Sequence, residues 1–130
     1  MNEMIKNFLV ISCIGKDDKL GLRINKDFFI KKINNKKNYN DKLVFEISNF
    51  LKLHKVELDE AFSVLLNQGP GSFSSIRTSL AVAKGLEMSK KVKLYGFNNQ
   101  DLEELSLEKL KELLKGKLFE KNLITPIYLS

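Results

Sequence analysis

The chain has 130 residues, 43% hydrophobic and 29% charged, a balance that suits one globular domain with a single core. No apolar run approaches the ~20 residues of a membrane-spanning helix, and "MNEMIKNFLVISCIGK" lacks a signal-peptide cleavage pattern, so a cytoplasmic protein is expected. The net charge of +6 invites a nucleic-acid reading, but Arg23 and Arg77 are the two arginines among 22 basic residues. Lysines without the bidentate guanidinium fork read better as solvated surface than as a phosphate-reading face.

In chain order, "FLVISCI" (Phe8 to Ile14) is an apolar, β-branched run of strand length, expected at the centre of a sheet. Its Cys13 has no second cysteine for an internal disulfide and reads as a small core residue. After the turn residues "GKDDKLG", the segments "LGLRIN" and "FFIKKI" complete a three-stranded antiparallel meander. "NNKKNYN" is a solvated loop. From Asp41 the period becomes helical, with Leu43, Ile47, Phe50, Leu51 and His54 on one stripe and Phe45 off it. "AFSVLLNQ" is the next strand, and it reaches its neighbour by a parallel crossover. A helix from Phe73 to Ser89 follows, and then "KVKLYGF", a last strand that Gly96 ends. Beyond Asn98, "DLEELSLEKLKELLKGK" reads as a charged amphipathic helix, and "LITPIYLS" as a short extended tail.

The order is three antiparallel strands, helix, strand, helix, strand. That predicts an α/β fold with a mixed five-stranded sheet plus a C-terminal helix, the pattern of a single actin-like or ribonuclease H-like lobe. Residues 1–97 form the lobe, and 98–130 an appended helix and tail.

Between the fourth strand and the second helix stands "NQGPGSFSSIRTSLAVAKG". A P-loop would need a second glycine followed by Lys and Ser or Thr at fixed spacing, and the dinucleotide pattern would need a third glycine; neither is present. The simpler account is geometric. Gly69 and Gly71 allow unusual backbone angles, Pro70 stiffens the turn, and Ser72 caps the helix. Metal-assisted phosphodiester chemistry would call for a carboxylate on the first strand, and none is there. His54 has neither a second histidine for a metal nor a nucleophile to serve. No catalytic, cofactor or metal residue is assigned. The second helix carries Phe73, Ile76, Leu80 and Ala83 on one face, Val82 and Leu86 on another, and Ala81 and Met88 roughly opposite. Apolar residues so widely spread predict burial on more than one side, including against a partner.

These residues resemble a family. "GPGSFSSIRTSLAVAKGL" is similar to the "GPGSFTGLRIGxxxAKGLA" motif of the TsaB (YeaZ) family, bacterial proteins of tRNA threonylcarbamoyladenosine synthesis. "LDEAFSVLLNQ" resembles that family's approach strand, "YNDKLVFEISNFL" its first helix, and "TPIYL" its C-terminal "P-x-Y-L-R". The resemblance implies an actin-like fold and a non-catalytic scaffold that binds and activates the catalytic subunit TsaD by helix packing. A TsaE-like ATPase joins such assemblies, and tRNA is met only indirectly. By position, the implied interface comprises Leu43, Ile47 and Phe50 on the first helix and Phe73, Ile76, Arg77, Leu80, Ala81 and Lys84 on the second. A homodimer through the same helices is implied when TsaD is absent. TsaD itself carries a metal-binding histidine pair, and His54 alone does not supply one. The family is normally close to twice this length, so the resemblance is to a shortened form. Its first strand usually ends "DTS" where Ser12, Cys13 and Ile14 stand here. The rival readings are a ribonuclease H-like or actin-like enzyme and a small basic RNA-binding module.

Overall fold

A computed structural model of the chain describes residues 7–33, 39–98, 108 and 120–121. Strands β1 (Phe8–Ser12), β2 (Lys19–Ile24) and β3 (Asp27–Lys32) come first, then helix α1 (Tyr39–Leu53) and strand β4 (Ser63–Asn67). Helix α2 (Phe73–Lys90), strand β5 (Lys93–Phe97) and a two-residue strand β6 (Glu120–Lys121) complete the order. The five expected strands all form. The loop at 34–38, the expected C-terminal helix apart from Glu108, and the tail at 122–130 lie outside the described residues; Glu108 is helical and exposed.

The sheet runs β3-β2-β1-β4-β5-β6. β1 pairs antiparallel with β2, and β2 with β3, whereas β1–β4 and β4–β5 are parallel. β1, β3, β4 and β5 therefore share one direction. The two crossovers, α1 between β3 and β4 and α2 between β4 and β5, both run back against it and so lie parallel to each other. This is the mixed α/β sheet of an actin-like lobe, as the element order predicts. Two details differ from expectation. Gly96 does not end β5 but sits within it, opposite Leu66 on one side and Glu120 on the other. The extra strand β6 pairs with that outer edge, giving partners to β5 backbone groups that would otherwise face open solvent.

The β2–β3 hairpin turns at Asn25, whose positive φ of 58° suits asparagine, and its N–H donates to Asn7 Oδ1 at 2.8 Å. β1 and β4 are apolar on both faces because both faces are buried: Leu9 and Ile11 point one way, Phe8 and Val10 the other, all at 0% exposure. On the helix side, Leu9, Ile11, Leu20, Val64, Leu66 and Leu94 meet Leu43, Ile47 and Phe50 of α1 and Ala83 of α2. His54 follows α1 and stacks on Phe29 at 4.0 Å between ring centres, with its edge towards Phe50 at 5.2 Å, so it ties the helix end to β3. Cys13 is buried within the same core.

Burial pushes the Tyr95 phenol above its ordinary value. The folded state therefore holds that proton when the unfolded chain has lost it. The resulting stability is complete below a pH of about 10 and falls as the pH rises beyond it. Replacing Tyr95 by phenylalanine is expected to flatten this alkaline loss, read from denaturant midpoints at a series of pH values. An unchanged slope would show that the phenol is not its source.

Candidate helix-docking cleft

The glycine-proline turn fixes where α2 begins. Gly69 has φ +102° and a cis bond to Pro70, and its N–H donates to Asn67 Oδ1 at 3.0 Å. Asn67 in turn donates from Nδ2 to Ser12 Oγ at 3.1 Å, so the turn is hydrogen-bonded back to the end of β1. The Ser72 N–H donates to the Ile14 carbonyl at 2.8 Å. At Gly71, an added Cβ would lie 2.5 Å from that same carbonyl oxygen and 2.6 Å from Ile14 Cβ. Glycine is needed there for closeness. Ser72 then caps α2, its hydroxyl accepting from the Ser75 N–H at 3.4 Å.

The helix buries a narrow stripe of mostly small residues, Ser75, Ile76, Ser79 and Ala83. Ser79 Oγ lies 2.7 Å from the Cys13 carbonyl and 2.9 Å from the Ser75 carbonyl, so a buried hydroxyl is satisfied while α2 comes close to the sheet. The rest of the helix is more open than its apolar content suggests. Phe73 is 53% exposed and Met88 75%, and Ala81 is exposed, while Leu80, Val82 and Leu86 are half-buried. Burial on several sides, expected from the sequence, is confined within this chain to one side.

This corrects the interface drawn from the resemblance. Leu43, Ile47, Phe50 and Ile76 lie between 0% and 4% exposed, within the core of this chain, so no partner can seat directly on them. Ile47 reaches only the floor of the cleft described next. On α2, Phe73, Arg77 and Ala81 are exposed, and Leu80 and Lys84 are half-buried. Arg77 lies over the Phe73 ring at 5.3 Å, and Lys84 pairs with Glu87 at 3.5 Å. Phe45 is 63% exposed and lies off the cleft.

What the two helices create is a cleft of about 750 Å³. Val44, Ser48 and Leu51 of α1 face Ala81, Val82 and Leu86 of α2 across it, and Val56 and Leu58 close one end. A smaller hollow of about 460 Å³, walled by Phe73, Arg77 and Thr78, adjoins it and shares Ala81 and Val82. The sequence reading passed over Val44 and Ser48 and placed Leu51 on the core stripe, although the three recur at helical spacing one residue from Leu43, Ile47 and Phe50. An open, elongated apolar trough between parallel helices suits the ridge of another helix.

Gly85 lies on the cleft wall, exposed, with nothing within 4 Å of where a Cβ would stand. Alanine there should raise stability by about 0.5–1 kcal/mol, because glycine weakens helix interiors. The same methyl narrows the trough, so docking should weaken while the melting temperature rises. Thermal melts and a binding titration on the one variant test both halves.

Among the described residues, no group of three or more His, Cys, Asp or Glu is placed to hold a metal. Asp18, 3% exposed, accepts from the Gly15 N–H at 2.9 Å and so shapes the β1–β2 loop. No described helix is long and apolar enough to cross a membrane.

No family model and no curated protein sequence matches the chain. Its fold does match solved structures. YeaZ from Pseudomonas aeruginosa superposes with a TM-score of 0.65 at 16% identity, over 72% of this chain and 44% of that one. A second structure from Pseudomonas aeruginosa, described as an uncharacterized protein with similarity to peptidase YeaZ, gives the same values. The likeness establishes the actin-like fold, and the chain spans less than half the length of the proteins it matches.

Proposed function

We propose that this chain is a non-catalytic scaffold and activator of tRNA threonylcarbamoyladenosine synthesis, docking a TsaD-type catalytic subunit in the cleft between α1 and α2. The observation that carries the reading is the cleft itself: an apolar trough beside the helix that the glycine-proline motif positions. The similarity of the lobe to YeaZ adds the family context. The chain contributes shape and apolar surface, and the partner supplies metal and nucleotide chemistry. Hydrophobic area in the trough drives association, and the fixed helix pair sets its geometry.

The test is reconstitution. Mixed with the TsaD-type protein of the same genome, the chain should elute as a stoichiometric complex and raise threonylcarbamoyl transfer to tRNA above that of TsaD with its other partners. Separate elution with an unchanged rate would overturn the reading. Modification of tRNA by the pure chain would restore the enzyme reading instead.

A further inference from the structure

The two long helices cover one face of the sheet, and the other face is buried as well. α1 and α2 pack on the side of Leu9, Ile11, Val64, Leu66 and Leu94. Alternation along the paired strands sends Phe8 and Val10 of β1, Ser63, Leu65 and Asn67 of β4, and Tyr95 and Phe97 of β5 to the opposite side. There Phe8, Val10 and Leu65 are 0% exposed, and Ser63, Asn67 and Phe97 lie between 2% and 4%. Neighbours within the sheet explain part of this. The Phe28 ring lies over Gly21 beside Val10, and the Arg23 guanidinium over the Phe8 ring at 5.9 Å. Both come from β3 and β2, three and two strands away from Leu65. Burial of the central strand therefore calls for a layer above it.

That layer has a definite width. On the same face exposure returns at β3, where Ile30 is 46% exposed. A shield over β1, β4 and β5 that stops short of β3 spans three strands about 4.8 Å apart, which matches one helix about 10 Å across.

We propose that residues 102–114 form this layer, as an amphipathic helix laid over β1, β4 and β5 that seals the second face of the lobe and leaves the α1–α2 cleft open. Leu102, Leu105, Leu110, Leu113 and Leu114 share one stripe of such a helix. Glu108, described within this stretch, is helical and exposed, and at about 100° per residue it stands opposite those leucines. A helix over 102–114 is about 20 Å long, close to the ~17 Å of a five-residue strand. The chain leaves β5 at Phe97 and is back at its edge at Glu120, opposite Gly96, so residues 99–119 run out and return at one end of the sheet. The same leucines would suit the cleft, but the burial points away from it: Val44 is 55% exposed there, and Leu51, Val82 and Leu86 are half-buried. The segment is then a third layer of one lobe, independent of whether a partner docks in the cleft.

Nuclear Overhauser contacts in the methyl-labelled full chain test this. The Val10 and Leu65 methyls should contact leucine methyls of 102–114. Absence of those contacts overturns the proposal, whether residues 1–6 or 122–130 take their place or the leucines contact Val82 and Leu86 in the cleft. In a mixture of labelled and unlabelled chains the contacts should stay within one chain; contacts between chains overturn it too. Leu110→Ala should lower the melting temperature by roughly 10 °C, because a buried leucine is truncated with no loss of helix propensity. Glu108→Ala, on the exposed side, should move it by no more than about a degree or two. Equal small shifts would show that the leucine stripe is not buried, and the proposal would fall.

Discussion

Gly71→Ala is expected to destabilise the protein by about 2–3 kcal/mol, at the upper end of the usual cost of overpacking. The added methyl has nowhere to go. It would stand 2.5 Å from the Ile14 carbonyl oxygen and 2.6 Å from Ile14 Cβ, and neither is the mobile end of a side chain. Relief requires the turn to move away from β1. That movement stretches the 2.8 Å hydrogen bond from the Ser72 N–H to the same carbonyl. It also disturbs the Ser79 hydroxyl, which lies 2.7 Å from the Cys13 carbonyl. For a chain of this size the melting temperature should fall by roughly 10 °C, measured by circular dichroism. A variant melting within a degree or two of the parent would show that the turn is not clamped to β1. Gly85→Ala is the matched comparison: it is the same chemical change, also in the motif region, but with open space around the new atom.

Ala81→Arg should produce the opposite profile, with the fold intact and partner binding lost. Ala81 is exposed and belongs to both walls at the point where the cleft and the adjoining hollow meet. Arginine is a good helix former, and exposed substitutions of this kind move stability by no more than about 0.5 kcal/mol. A long charged side chain there obstructs the passage between the cleft and the adjoining hollow. The affinity for the TsaD-type partner should fall by at least ~100-fold, about 3 kcal/mol. Ile76→Ala makes the contrast informative. Ile76 is 2% exposed, so its truncation should cost roughly 2–5 kcal/mol of folding stability. Any effect on binding should then follow the folded fraction. Calorimetric titration paired with melting curves separates the two behaviours. Wild-type affinity in a folded Ala81→Arg variant would remove the trough from consideration.

The order of elements and the crossovers were legible because the hydrophobic period changes sharply, from runs and alternation before Asp41 to helical spacing after it. The turn was legible because two glycines around a proline leave few backbone alternatives. The inside of α2 was not. By hydropathy Phe73 belongs in and Ser75 and Ser79 belong out, but the structure reverses them. The reversal has a steric cause: only small side chains let this helix come near enough to β1 for Ser79 to reach the Cys13 carbonyl. Sequence patterns report side-chain polarity and say nothing of how close two backbones must approach. On α1 the same limit acted differently. Leu43, Ile47 and Phe50 are the most regular apolar stripe, so they drew attention, and they are core for that reason. The neighbouring stripe through Val44, Ser48 and Leu51 is weaker because it is only partly buried, lining an open cleft.

The bond between Ser72 and Ile14 has a kinetic consequence. α2 is held at its N-cap to Ile14, just past the end of β1, and α1 is tied through His54 to β3. Both walls of the trough are therefore in position before any encounter. On the docking proposed above, a partner helix would meet a preformed slot, and the ordering cost would fall on folding instead of on binding. Association should then proceed at a rate set by collision and orientation, proportional to partner concentration with no plateau from a slow opening step. How long the complex lasts is left to the contacts inside the trough.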